Sequence, residues 1–376
     1  MIGDGHRIQQ WSVLAPVPAT LPVAGELIRR AAAVRSADSH AASIEADRRA
    51  MVAMLGDQQW ADLGWPELLD GLTALGRTDI PLARLAEGHV DALRILRQAG
   101  RHSIPGALYG VWASRSGGRG LTATEQLGGF GLSGSIPFAS GSGLLDRALV
   151  TATLQPPAQP AEPPGGAPLI PQPGAADPIQ LLLDVDVRDW TPDPASWPTT
   201  AMAASRSFTI ELADRRVPAD TQVGPPGFYL GRTGFFPGGV GVAAVWVGAA
   251  ARVADVVGRF VGAAPMVPDQ TTQNHLGRLR IEVMNANALV LLGGRRLAAD
   301  PGTAIGRQDR ESMRRLSTEV RAGVGSAVRR LLEIARSLAG PAGLGQDGEL
   351  SAAITDLDLY VRQQHSDRDA EYLAGS

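Results

Sequence analysis

Residue types and their spacing set what this chain can do chemically. Near its end QQHSDRD places His365, Asp367 and Asp369 two residues apart beside Gln364. A histidine, with an ordinary pKa of about 6.5, accepts a proton at neutral pH. In the middle of the chain, Trp112 and Ser114, and again Phe138 and Ser140, stand two apart in runs of extended character. An aromatic and a hydroxyl at that spacing on a strand are expected to share one face. Two absences narrow the field: there is no cysteine, and all 35 basic residues are arginine. Thiolate nucleophiles, Cys-ligated zinc, iron–sulfur clusters, disulfides, Schiff-base lysines and P-loop lysines are thereby excluded. Acid/base, arginine, hydroxyl and backbone chemistry remain, or a cofactor that brings its own reactivity.

The elements that must position these residues follow from periodicity. Residues 24–100 read as helices, over 40–55, 65–75 and 79–98, separated by short Gly or Asp turns. In the last of them Leu82, Leu85, Val90, Leu93 and Leu96 form an apolar stripe, with His89 among them as a core-edge histidine. From Ala107 the texture changes to short apolar runs punctuated by Gly and Ser, namely ALYGVWAS, GGFGLSGSIPF and RALVTATL, which read as strands. A Pro-rich stretch over 155–174 reads as a loop or linker. Strand character resumes in IQLLLDVDVRDW and RSFTIELADRRV, giving an all-β unit of six to eight strands. Long helices return over 240–260, 271–299 and 310–339, with a last piece over 349–361 before a polar tail. The fold class expected is α+β, with an N-terminal helical domain (1–105), a central β-barrel or sandwich domain (106–222) and a C-terminal four-helix bundle (223–376).

The 376 residues carry a net charge of −3 without a long like-charge run, so neither a nucleic-acid surface nor a membrane surface is expected. The N-terminus lacks the pattern of a secretory signal, and the longest apolar stretch, over 238–251, falls short of the roughly 20 residues a membrane span needs. A cytoplasmic location is the expectation.

The segment GGFGLSGSIPFASGSGLLDRALVTA resembles a Gly-rich strand pair of the acyl-CoA dehydrogenase family, and the order of helices, β unit and helix bundle matches that family over 24–373. LYGVWASRSGG and AMAASRSFTIELADRRVP are similar to two further segments of its β domain. The resemblance implies FAD as cofactor, with Phe138 beside the isoalloxazine ring and Ser140 bonded to its reactive edge. Trp112 and Ser114 match positions facing the pyrimidine ring. It implies an acyl-CoA-type or other small-molecule substrate and assembly as a homodimer or homotetramer. The physical account agrees: a flat amphipathic ring needs apolar cover on one face and hydrogen-bond donors along its polar edge.

Two departures qualify this picture. The family's proton-abstracting glutamate, counted from Asp356 and Tyr360, falls near Gln364, and an amide is no general base. The alternative location, on the first helix after the β domain, reads GGVGVAAVWVG and carries no acid. His365 and Asp367, then Asp369, are the nearest substitutes, with Glu282 ranked below them. The arginine that clamps the FAD pyrophosphate is also missing from GAAPMVPDQTTQNHLGRLR, where Gln270, Gln273, Arg278 and Arg280 stand instead. Three functions fit: a flavin-dependent α,β-dehydrogenase of acyl thioesters, a monooxygenase of the same fold using reduced flavin and O2, or a non-catalytic subunit supporting a paralogous partner.

Overall fold

A computed structural model describes residues 43–55, 59–155, 179–265, 267–299 and 307–375. The expected helical start over 24–42 and the Pro-rich segment beyond Gln155 lie outside the described residues. The chain divides into two compact units, one of Met1–Glu87, Thr199–Ser205 and Phe236–Ser376, the other of Gly88–Pro198 and Arg206–Phe235.

The first unit is helical. Its N-terminal part is α1 (Ser43–Leu55), α2 (Trp65–Thr78) and the start of α3 (Ile80–Gln98). In α2, Pro66 occupies the first turn, where its missing N–H costs nothing, and Leu68, Leu69, Leu72 and Leu75 form the buried face. After a short helix α4 (Phe228–Gly231), belonging to the second unit, come α5 (Phe235–Gly262), α6 (Gln270–Ala299), α7 (Arg307–Gln346), α8 (Gly348–Val361) and α9 (Ser366–Ala374). Among the described residues, α5 alone is long and apolar enough to cross a bilayer, yet 83% of its apolar window is buried inside the fold. Glycine makes that burial close. A Cβ on Gly76 would stand 2.2 Å from the Val245 carbonyl oxygen, and one on Gly248 would stand 1.9 Å from that of Thr73. The backbones of α2 and α5 therefore touch, and Arg77 pairs with Asp255 at 2.7 Å across the same contact.

Two helix ends differ from expectation. The third long helix does not stop at Ala339: Gly340 takes a left-handed φ of 55°, and Pro341 opens a fresh turn that runs on to Gln346. The polar tail is not irregular either. It forms α9, whose first turn carries Asp367 and Asp369 next to the unsatisfied N–H groups. Tyr372 fastens α9 to α7, donating its hydroxyl hydrogen to Glu311 while its ring lies 4.0 Å from the Arg314 guanidinium carbon.

The second unit is built on one seven-stranded sheet of β1 (Tyr109–Trp112), β2 (Leu121–Gln126), β3 (Gly129–Ala139), β4 (Arg147–Leu154), β5 (Gln180–Asp186), β6 (Pro192–Asp193) and β7 (Phe208–Pro218). On one edge β4 pairs with β5 in antiparallel fashion; on the other it meets β1 and then β2, both parallel. β2 and β3 form a hairpin, and β3 passes the ladder to β7 and β6. The second half of α3 lays Ala92, Ile95 and Leu96 on Tyr109, Leu149 and Leu182 to make this unit's core. β2 was not separately legible, because LTATEQ buries only Leu121 and Ala123 and is otherwise polar.

Candidate functional site

In the sheet unit, the segment ASGSG is a built turn. Gly141 and Gly143 take φ of 80° and 75°, conformations open to glycine at no steric cost. Between them Ser142 donates through its Oγ (2.9 Å) to the carbonyl of Arg206, whose Nε donates to the Ser142 carbonyl (2.9 Å). This reciprocal clamp holds the end of β3 against the start of β7.

The clamp follows a bulge. Ile136 pairs with Ile210 and Ala139 with Phe208, so β3 carries one residue more than β7 between those pairs. The extra residue interrupts alternation, and the expectation that Phe138 and Ser140 share a face fails. Phe138 is 50% exposed with a left-handed φ of 59°, its ring edge-on to Trp197 at 6.1 Å. Ser140 is buried, its Oγ 2.8 Å from Ser207 Oγ. A bulky residue at such a φ stores strain of about 1–3 kcal/mol, of the kind that clusters at ligand sites. Trp112 is also buried. Its Nε1 donates to the Ser140 carbonyl (2.9 Å) and its ring packs on Trp190 at 6.2 Å. Ser114 lies beyond the end of β1, half-buried, so the second pair does not share a strand face either. The residues of this unit with capacity to receive a ring are thus Phe138, as apolar cover, and Ser114. Ser135 on β3 adds a buried hydroxyl with no hydrogen-bond partner among the described residues.

His89 has a structural task. It is buried, and its Nδ1 accepts the Tyr109 N–H at 3.0 Å, tying α3 to β1. Burial pushes its pKa down to about 4, keeping the ring neutral and the acceptor intact.

In the helical unit, Gln364 does not join His365 and Asp367. Its side chain is buried, donating from Nε2 to Asp369 Oδ2 (2.8 Å) and accepting from Ser366 Oγ (3.2 Å). His365, at the N-cap of α9, and Asp367, in its first turn, face solvent. Glu282 is held by Arg330 through two bonds of 2.9 Å. Arg278, Arg280, Gln270 and Gln273 lie exposed along the start of α6, and Gln273 donates back to the Pro268 carbonyl.

A constellation that sequence reasoning missed lies in the same unit. Trp246 of α5 and Tyr360 of α8 meet edge to face, 6.0 Å apart at 86°. The Arg321 guanidinium of α7 sits 5.4 Å over the Trp246 ring. On α3, Arg84 pairs with the buried Glu87 at 2.9 Å, and the fields of Arg84, Glu87 and Arg321 all reach Tyr360. Burial, reinforced by Glu87, raises the Tyr360 pKa far above the usual phenol range, so its hydroxyl stays protonated. These residues come from four helices, and no local pattern announces them. A separate cavity of about 420 Å³ is lined by Arg296, Glu311, Arg315 and Glu319, whose charges offset one another. Among the described residues no cluster of histidine and acids suited to a metal occurs.

No family model and no curated protein matches the chain by sequence. Solved structures do. The chain is similar to dibenzothiophene monooxygenase TdsC from Paenibacillus sp. A11-2, with a TM-score of 0.73 and 15% identity over 94% of this chain and 95% of that one. KijD3, solved with FMN and a dTDP-amino-keto sugar, gives 0.73 and 18% over 97% and 95%. Methanesulfinate monooxygenase MsuC from Pseudomonas fluorescens gives 0.71 and 13% over 96% of both chains. The chain has an acyl-CoA dehydrogenase-like fold, as the resemblance implied.

Proposed function

We propose that the protein is a flavin-dependent monooxygenase acting on a small organic substrate. The observation that carries this reading is the state of the two places where an acyl-CoA dehydrogenase keeps its base. One is Gln364, an amide locked between Asp369 and Ser366. On the other, α5, the one acid is Asp255, which is ion-paired with Arg77. An oxygen-inserting enzyme needs no base of that kind. A flavin bound here would, in its reduced form, supply the two electrons that together with two protons let one atom of O2 enter the substrate and the other leave as water. The fold likeness to TdsC and MsuC, both monooxygenases by name, favours the same reading over α,β-dehydrogenation.

The chain's own residues fit part of a flavin site. Phe138, held outward by the bulge, offers cover to one ring face, and the Oγ atoms of Ser114 and Ser135 offer bonds to a polar edge. Ser140 and Trp112, matched to flavin contacts by the resemblance, have committed their polar atoms within the unit and support the bulge from behind. Both FMN and FAD are compatible with this set, because the pyrophosphate clamp expected of an FAD site has no arginine at its place in the sequence. A cytoplasmic homodimer or homotetramer completes the proposal.

Titrating the purified protein with FMN and with FAD, oxidised and reduced, and following flavin fluorescence tests it. Saturable binding that weakens in Phe138→Ala is expected; no binding of any of the four forms would remove both flavin readings.

A further inference from the structure

Three polar atoms in the helical unit are sheltered from solvent and have no hydrogen-bond partner among the described residues: Trp246 Nε1, Tyr360 Oη and Arg321 Nε. Trp246 is 0% and Tyr360 2% exposed. They are close to one another. The two rings meet at 6.0 Å, and the Arg321 guanidinium lies over the indole at 5.4 Å. A buried polar atom without a partner is costly, and three on neighbouring side chains of one helical unit mark a place kept for something else.

Their chemistry specifies the guest. Indole N–H and guanidinium Nε–H only donate, and Tyr360, protonated throughout the accessible range, also has a hydrogen to give. A neighbourhood of three donors calls for an acceptor. Charge points the same way. Arg321 makes no ion pair among the described residues, its one bond being from Nη2 to the Gln363 carbonyl at 3.4 Å. Two carboxylates send their fields to Arg321 without pairing with it: Asp369 is held by the Gln364 amide, and Glu87 is engaged by Arg84. Arg321 is only partly buried, so an anion arriving from solvent meets it first, with Tyr360 and Trp246 behind.

We propose that Arg321, Tyr360 and Trp246 form a binding site for an oxyanion, such as a carboxylate, carried by a small organic substrate. This deepens the monooxygenase reading and rests on it for calling the guest a substrate; the site itself stands on the unpartnered donors. Binding satisfies the two ring donors and neutralises Arg321. The ion pair of Arg84 and Glu87 sets a limit, since it gives a dianion no second positive partner.

The test uses the whole chain and reads Trp246 directly. The indole N–H resonances of the seven tryptophans are recorded, and that of Trp246 is identified by its loss in Trp246→Phe. The protein is then titrated with benzoate, benzamide, inorganic phosphate, FMN and riboflavin, while flavin binding is followed separately in the visible band. The expected result is a saturable downfield shift of the Trp246 signal with benzoate and a weaker response to benzamide. In Arg321→Met, and in Tyr360→Phe, which deletes a single oxygen, benzoate affinity falls at least tenfold while flavin binding persists. A response to FMN and phosphate but not to benzoate would assign the site to the cofactor and overturn the proposal. So would no response to any anion, an affinity unchanged in Arg321→Met, or a ligand-free signal already hydrogen-bonded and exchanging with water. Because flavin binding is read independently, loss of the flavin reading and loss of this site are distinguishable.

Discussion

Acidification should loosen the sheet unit through one histidine. In the folded chain His89 accepts the Tyr109 N–H and has a pKa of about 4, whereas an unfolded histidine titrates near 6.5. Between those values the unfolded chain binds a proton that the folded chain refuses, so stability falls as pH falls. Above about 6.5 the histidine contributes no pH dependence, and below about 4 the loss is complete. The gap, at about 1.36 kcal/mol per pH unit, comes to roughly 3 kcal/mol in full and roughly 2.5 kcal/mol at about pH 4.5. His89→Asn separates this effect from the titration of other groups, because an amide oxygen accepts the same N–H without titrating. Urea dependence of hydrogen exchange at the β1 amides reads the sheet unit alone. From about pH 7.5 to about pH 4.5 the unmodified chain should lose roughly 2.5 kcal/mol more than His89→Asn. Equal losses in the two proteins would refute the assignment of His89 as a neutral, buried acceptor.

The other predictions concern packing and the two candidate regions. Gly248→Ala drives a methyl into the Thr73 carbonyl and should lower stability by about 1–3 kcal/mol or more in thermal unfolding. Gly262→Ala on the same helix meets nothing within 4 Å and should be close to neutral. Gln364→Glu sets a carboxylate against Asp369, replacing a 2.8 Å bond with repulsion. It should destabilise by about 1–3 kcal/mol near neutral pH, recover on acidification, and leave acyl-CoA dehydrogenation at background. Phe138→Ala relieves a strained, half-exposed position; unfolding should change by less than about 1 kcal/mol while flavin affinity drops.

Much of the fold was written in periodicity. The apolar stripes of α2 and α3 and the largely apolar runs of β4 and β5, interrupted only by Thr151 and Asp184, name their elements, because burial on one face or on both leaves its mark in the sequence. The tail helix α9 was not legible, since its stability comes from Tyr372 reaching Glu311 and Arg314, some sixty residues away. The site was legible only in outline. Phe138, Ser140 and the ASGSG turn stand out as a motif, but the bulge that turns Phe138 outward arises from the pairing of β3 with β7 and has no local signature. For the cluster of Trp246, Arg321 and Tyr360 the reason is stronger still. A tryptophan among valines and alanines reads as core, and only the packing of α5, α7 and α8 shows that its N–H lacks a partner.

The central claim is that the chain handles flavin and oxygen without the base an acyl-CoA dehydrogenase requires. The measurement that tests it most directly is the visible spectrum of the flavin-loaded protein under anaerobic conditions, before and after a series of acyl-CoA thioesters, and then, after chemical reduction, on admitting O2. The account predicts that the flavin stays oxidised with every thioester and that the reduced form consumes O2. Bleaching of the flavin by a thioester would contradict it.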